Sequence, residues 1–121
     1  FSKYEIEGEK VNGELTLGEN IADLGGMTIA FYALKEALKD KSKDKIDGYT
    51  QDQRFFLSWA TVWRNNIRKE EALNRLIMDP HSPGNLRING VVANMKPFYQ
   101  AFNVSKNDKL YKSDEEIASV W

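Results

Sequence analysis

The stretch TLGENIADLGG, Thr16 to Gly26, is where the sequence turns helical. From Gly18 onward, Ile21, Leu24, Met27 or Thr28, Phe31, Leu34 and Leu38 recur at threes and fours. That period predicts a helix from about Glu19 to Asp40. Within it, Glu19 and Asp23 stand four residues apart and so share one side of the helix. Two readings are open. In the first, Thr16-Leu17-Gly18-Glu19 is a T-x-x-E capping box, and Asp23 is a surface charge favoured by the helix dipole. In the second, the carboxylates are half of a site. Their side continues through the small residues Gly26 and Ala30, which lets another helix approach closely. One carboxylate could then bind a hard or borderline cation while the other orients a neighbouring ligand.

Upstream, alternation at Tyr4–Glu7 predicts at most one short strand, and Asn12-Gly13 is a turn signal. Downstream, KDKSKDKIDG mixes charges and reads as a solvated loop. A second helix is predicted from an N-cap near Asp52, with Phe55, Phe56, Trp59 and Trp63 as a core-facing stripe that Ile67 continues. Stacking of nucleic acid bases on that stripe would need basic residues interleaved around a groove. Arg54, Arg64 and Arg68 read as the polar face instead. KEEALNRLIMD predicts a third helix from near Lys69. The prolines, glycines and asparagines of PHSPGNLRINGV predict a loop. Short helices are expected near Val91–Met95 and Pro97–Phe102, and the last residues are partly irregular. The fold class is therefore mostly α, in a single unit without repeats.

Composition narrows the chemistry. The 121 residues carry 17 basic and 18 acidic side chains and a net charge of −1, so no strong field draws nucleic acid or an anionic membrane. No apolar run approaches the length of a membrane span. The absence of cysteine excludes disulfides, thiolate nucleophiles and cysteine zinc sites. The single histidine, His81, excludes a self-contained multi-histidine zinc centre. The chain opens FSKYEIEGEK without an initiator Met, which reads as a fragment or processed product.

His81 lies in DPHSPGNLR. A lone loop histidine is commonly a solvent-exposed turn residue. A loop stiffened by two prolines would also hold His81 and Arg87 as a donor pair for an anionic transition state. Arg87 offers a planar fork for a carbonyl or carboxylate, and Asp79 could orient the imidazole and favour its charged form.

NGELTLGENIADLGG, at residues 12–26, contains E-N-x-A-D and resembles the neprilysin-type zinc endopeptidases. DPHSPGNLRINGVVANMKPFYQAFNV, then DKLY and the terminal Trp121, resembles the C-terminal end of the same family. Order and spacing agree from Leu15 to Trp121. Ser119 stands where animal members carry a cysteine, which resembles a bacterial, endopeptidase O-like member. The resemblance implies the C-terminal helical part of a zincin-type catalytic domain. It implies one zinc ion as cofactor, with Glu19 as a ligand and Asp23 holding a zinc-ligating histidine of another helix. His81 would stabilise the oxyanion, Asp79 would support His81, and Arg87 would fix the substrate backbone.

The family's H-E-x-x-H helix, with the other ligands and the general-base glutamate, is absent from residues 1–121 and lies upstream in the family. The resemblance thus implies a peptidase that hydrolyses peptide bonds with a zinc-activated water as part of a longer polypeptide. The isolated segment is expected to be inactive and to bind zinc weakly. Its expected partners are peptide substrates and the missing upstream half, with self-association through uncovered apolar surface. The competing expectation is a non-enzymatic helical binding module or a degenerate homologue. The compartment stays open between the bacterial cell envelope or exterior and the cytoplasm.

Overall fold

A computed structural model describes residues 3–120; Trp121, which contributes to the family resemblance, lies outside them. Two short strands, β1 (Glu5–Ile6) and β2 (Glu9–Lys10), pair antiparallel with Glu5 opposite Lys10. The single expected strand therefore has a partner. The turn between them is Glu7-Gly8, both at positive φ, the backbone that suits a tight hairpin. Asn12-Gly13 does not make this hairpin. Asn12 instead opens the approach to the first helix, its Oδ1 accepting from Leu15 N and its carbonyl from Thr16 N.

Five helices follow: α1 (Leu17–Ala37), α2 (Gln51–Val62), α3 (Lys69–Met78), α4 (Gly84–Val92) and α5 (Lys96–Phe102). The capping box expected at Thr16 is not formed. Thr16 has ψ near zero rather than extended, because it already continues the turn from Asn12, and its hydroxyl donates to the Asn12 carbonyl. The box occurs at α2, where Thr50 and Gln53 bond reciprocally. Thr50, not Asp52, is the N-cap, and Asp52 pairs with Lys35. α2 stops at Val62. Asn65 and Asn66 are poor helix formers, so Ile67 falls outside the helix and does not continue its stripe.

The loop expected over PHSPGNLRINGV is also shorter than predicted. Pro83 adopts φ −51° and ψ 146° and its carbonyl accepts from Leu86 and Arg87, so Gly84 begins α4. His81 sits in a short loop, whereas Arg87 is on a helix. The turn-forming residues mark a helix start.

The main core joins Leu24, Met27 and Phe31 of α1 to Phe56 of α2, Val91 and Val92 of α4, and Met95. Phe31 stacks on Phe56 at 5.5 Å and 22°. A smaller cluster of Val11, Leu76 and Leu86 fastens the hairpin and α3 to α4. α1 is apolar on its outer side too: Leu17, Ile21, Ile29 and Tyr32 are 55%, 46%, 58% and 64% exposed. The expected Met27–Leu38 and Phe55–Trp63 stripes are largely internal, and the uncovered apolar side chains include Ile29, Tyr32 and Val62. Among the described residues no helix is long and apolar enough to cross a membrane.

Candidate active site

Packing of α1 on α4 sets the site. Both cross the core through apolar residues, which brings the polar edge of α1 beside the loop between α3 and α4. A buried polar chain locks that loop. Ser82 Oγ donates to Asn20 Oδ1 at 2.8 Å, and Asn20 Nδ2 donates to Thr16 Oγ1 at 3.1 Å. All three residues are at most 5% exposed. Such groups are held because an unpaired buried polar atom costs about 1–3 kcal/mol.

Residue 81 is thereby delivered to Glu19. His81 Nε2 lies 3.3 Å from Glu19 Oε2, and Nδ1 lies 2.8 Å from Asp79 Oδ1. Asp79 Oδ1 also accepts the His81 backbone N–H at 2.9 Å. That amide bond, followed by the ring contact, holds the Asp79 carboxyl below the ordinary carboxylate range. The imidazole lies between two carboxylates: its Nδ1 is hydrogen-bonded to Asp79, whereas Nε2 meets Glu19 at ion-pair distance without a hydrogen bond. Glu19 and His81 are each a little under half exposed.

Beside this relay, Arg87 grips Asp23 with Nε to Oδ2 at 2.6 Å and Nη2 to Oδ1 at 2.7 Å. The side chains are 12% and 9% exposed. The parallel two-bond geometry is the strong form of an arginine–carboxylate pair. Each Asp23 oxygen retains acceptor capacity. Arg87 and His81 help line a hollow of about 260 Å³. Asp23 helps line a second, of about 340 Å³, between α1 and α2, with Gly26, Ala30, Phe55 and Val62.

All five sequence-nominated residues thus meet in one region: Glu19 with His81 and Asp79, Asp23 with Arg87. Three further contributors escaped the sequence reading. Asn20 and Ser82 pin the loop, and an asparagine in the first turn of α1, on the side of Leu17 and Leu24, was the available signal. Trp63 was read as core, yet its ring faces Arg87 at 3.6 Å from Cζ.

A zinc ion fits this arrangement as one corner of a site. Glu19 has His81 as its side-chain partner, leaving one carboxylate oxygen for a cation. Glu19, His81 and Asp79 form a line rather than converging, and no cluster of three or more His, Cys, Asp or Glu among the described residues is placed to hold a metal.

Comparison with known proteins identifies the family. The model of peptidase family M13 matches residues 1–117. Neprilysin-3 of Drosophila melanogaster is 37% identical across 100% of this chain, which covers 16% of that protein. The neutral endopeptidase of Lactococcus lactis is 37% identical across 100% of the chain, which covers 18% of it. The crystal structure of the Mycobacterium tuberculosis zinc metalloprotease Zmp1 in complex with an inhibitor superposes with a TM-score of 0.89. That match has 42% identity over 98% of this chain and 18% of Zmp1. The chain thus spans less than a fifth of the length of these relatives. From the family match and these identities, the chain belongs to peptidase family M13.

Proposed function

We propose that residues 1–121 are the C-terminal part of a zinc-dependent endopeptidase whose other zinc ligands and general base lie upstream in a longer polypeptide. The observation that carries this reading is the pairing of Glu19 with the Asp79-held His81, next to the Arg87–Asp23 fork. A structural surface carboxylate needs no such neighbours.

Glu19 supplies one carboxylate ligand of the three protein ligands that a catalytic zinc site generally uses. Bound zinc supplies Lewis acidity and a nucleophilic water at neutral pH. Asp79 accepts from Nδ1 and fixes the imidazole, so a proton on Nε2 is presented to the oxyanion that develops on the scissile carbonyl. Arg87 Nη1 makes no hydrogen bond among the described residues and is available to a substrate carbonyl or carboxylate. Asp23 holds Arg87 in place and keeps lone pairs for an imidazole from upstream, which would fix that ligand's orientation. The exposed small residues Gly26 and Ala30, on the same side of α1 as Glu19 and Asp23, leave room for a close-packed upstream helix as partner.

The test is zinc titration with a quenched fluorogenic peptide, on this chain and on the full-length polypeptide. Zinc-dependent cleavage is expected from the full-length polypeptide and none from residues 1–121. A full-length polypeptide that binds zinc yet cleaves no peptide would favour a degenerate, non-enzymatic homologue. Cleavage by the 121-residue chain would overturn the division of the site.

A further inference from the structure

Trp63 caps the C-terminal end of α2, and Arg87 lies on α4, so no helical spacing relates them. Yet the guanidinium lies on the indole, with Cζ 3.6 Å from the ring centroid. Other contacts fix this stack. Trp59, one turn earlier, donates its indole N–H to the Arg87 carbonyl at 3.1 Å and meets Trp63 edge-on at 5.5 Å. Gly84 seats α4 so closely on α2 that a Cβ there would stand 2.7 Å from the Trp63 carbonyl. Trp59 packs against the main core cluster and Trp63 does not; Trp63 lines the hollow shared with Arg87 and His81.

The Trp63 Nε1 is buried and has no hydrogen-bond partner among the described residues. Buried indole N–H groups are normally paired. Phenylalanine would fill much of the same space without leaving a donor stranded. What tryptophan adds is the strongest aromatic face for a cation, and the attraction grows as the cation is desolvated. The Arg87 side chain is only 12% exposed.

We propose that Trp63 is a positioning residue for Arg87: its ring holds the guanidinium on the Asp23 fork and leaves the Nη1 edge for the substrate. The proposal rests on the peptidase reading above. A guanidinium with both Nε and Nη2 committed to Asp23 can still rock about that fork. The indole face on one side removes this freedom, so the remaining donors are fixed before substrate arrives.

The experiment replaces Trp63 in the full-length polypeptide with a series of increasingly fluorinated tryptophans, inserted at that codon alone. Fluorination drains the ring face while keeping the indole's shape, so folding is preserved. KM for a peptide substrate is expected to rise stepwise, about 3–10-fold by the most fluorinated ring, with kcat and zinc content little changed. The trend should vanish in an Arg87→Met background. A flat KM series, or the same trend without Arg87, overturns the proposal. Phenylglyoxal labelling of Arg87, measured by mass spectrometry against the exposed Arg75, gives a readout independent of activity. Labelling is expected to quicken along the series, and a constant rate overturns the proposal. A parent polypeptide that cleaves no peptide refutes the peptidase reading, and the labelling series then decides alone whether Trp63 positions Arg87.

Discussion

Arg87 and Asp23, separated by 64 residues of sequence, meet in a fork of two hydrogen bonds of 2.6 and 2.7 Å that is almost closed to solvent. Replacing one partner leaves the other charge buried and uncompensated. Arg87→Met or Asp23→Leu alone should therefore destabilise the domain by about 3–5 kcal/mol. The double replacement should recover most of that loss, because apolar groups of similar volume do not leave a stranded charge. Arg87→Lys should behave more like the broken pair, since an ammonium cannot reproduce the fork. Urea denaturation of the four variants measures this. A single-variant loss below about 1 kcal/mol would mean that solvent screens the pair as at an ordinary surface.

Glu19 and His81 touch each other but should separate in their effects. In the full-length polypeptide, Glu19→Gln is expected to weaken zinc affinity, because an amide is a poorer ligand than a carboxylate. His81→Ala should leave zinc affinity unchanged and lower kcat by about 10²–10³-fold, the usual loss of one oxyanion donor. Competitive chelator titration and initial rates distinguish the two. Equal zinc loss in both variants contradicts the division of roles.

The helical class and the helices around the core were legible because Leu24, Met27 and Phe31, and then Phe56, Trp59 and Trp63, recur at threes and fours. The i, i+4 relation of Glu19 and Asp23 was legible for the same reason. The partners of these carboxylates were not local. His81 and Arg87 reach them only after α4 packs on α1, so the spacing alone could not exclude a capping box. Family resemblance joined the two segments where periodicity could not. Gly84 and Asn85 misled because the residues that favour turns also open helices, and Pro83 decides between the two through its own extended ψ. The Trp63–Arg87 stack had no sequence signal, since an aromatic stripe has the same pattern whether its end meets the core or a cation.

Asp79 should make a pH-dependent contribution to stability. Its carboxyl is held below the ordinary range by the His81 amide and then the His81 ring. A lowered folded-state value means the folded protein binds the proton less readily than the unfolded chain. The stabilisation is then full above the unfolded value of roughly 3.9 and lost as pH falls through the lower folded value. The stability difference between the parent and Asp79→Asn should be present near neutrality and should shrink in that acid window. Denaturation midpoints measured across the acid range check it. A difference that stays constant to the lowest pH would assign the role of Asp79 to packing.

Gly84 has an ordinary backbone conformation, so its requirement is space alone. A Cβ would meet the Trp63 carbonyl at 2.7 Å, and that oxygen is backbone and cannot swing aside. Gly84→Ala should push α4 away from the end of α2 at a cost of about 1–3 kcal/mol. The shift should also loosen Trp63 on Arg87 and change tryptophan fluorescence. Unchanged stability and emission would show that the two helices adjust freely here.

Gly26 tests the face of α1 that the chain leaves uncovered. A Cβ added there meets nothing within 4 Å, although Gly26 helps line the hollow between α1 and α2. In the 121-residue chain Gly26→Leu should therefore be tolerated. It should even gain up to about 1 kcal/mol, because glycine in a helix interior is costly relative to residues with a side chain. In the full-length polypeptide the outcome should reverse. If an upstream helix packs over Gly26 and Ala30, the leucine must displace it, at about 1–3 kcal/mol or more. That helix would carry the remaining zinc ligands, so zinc affinity should fall together with stability. Parallel thermal denaturation of both lengths, with zinc titration of the longer one, measures the contrast. An equal, favourable effect in both would show that no helix covers this face, and the upstream zinc ligands would have to approach Glu19 from another side.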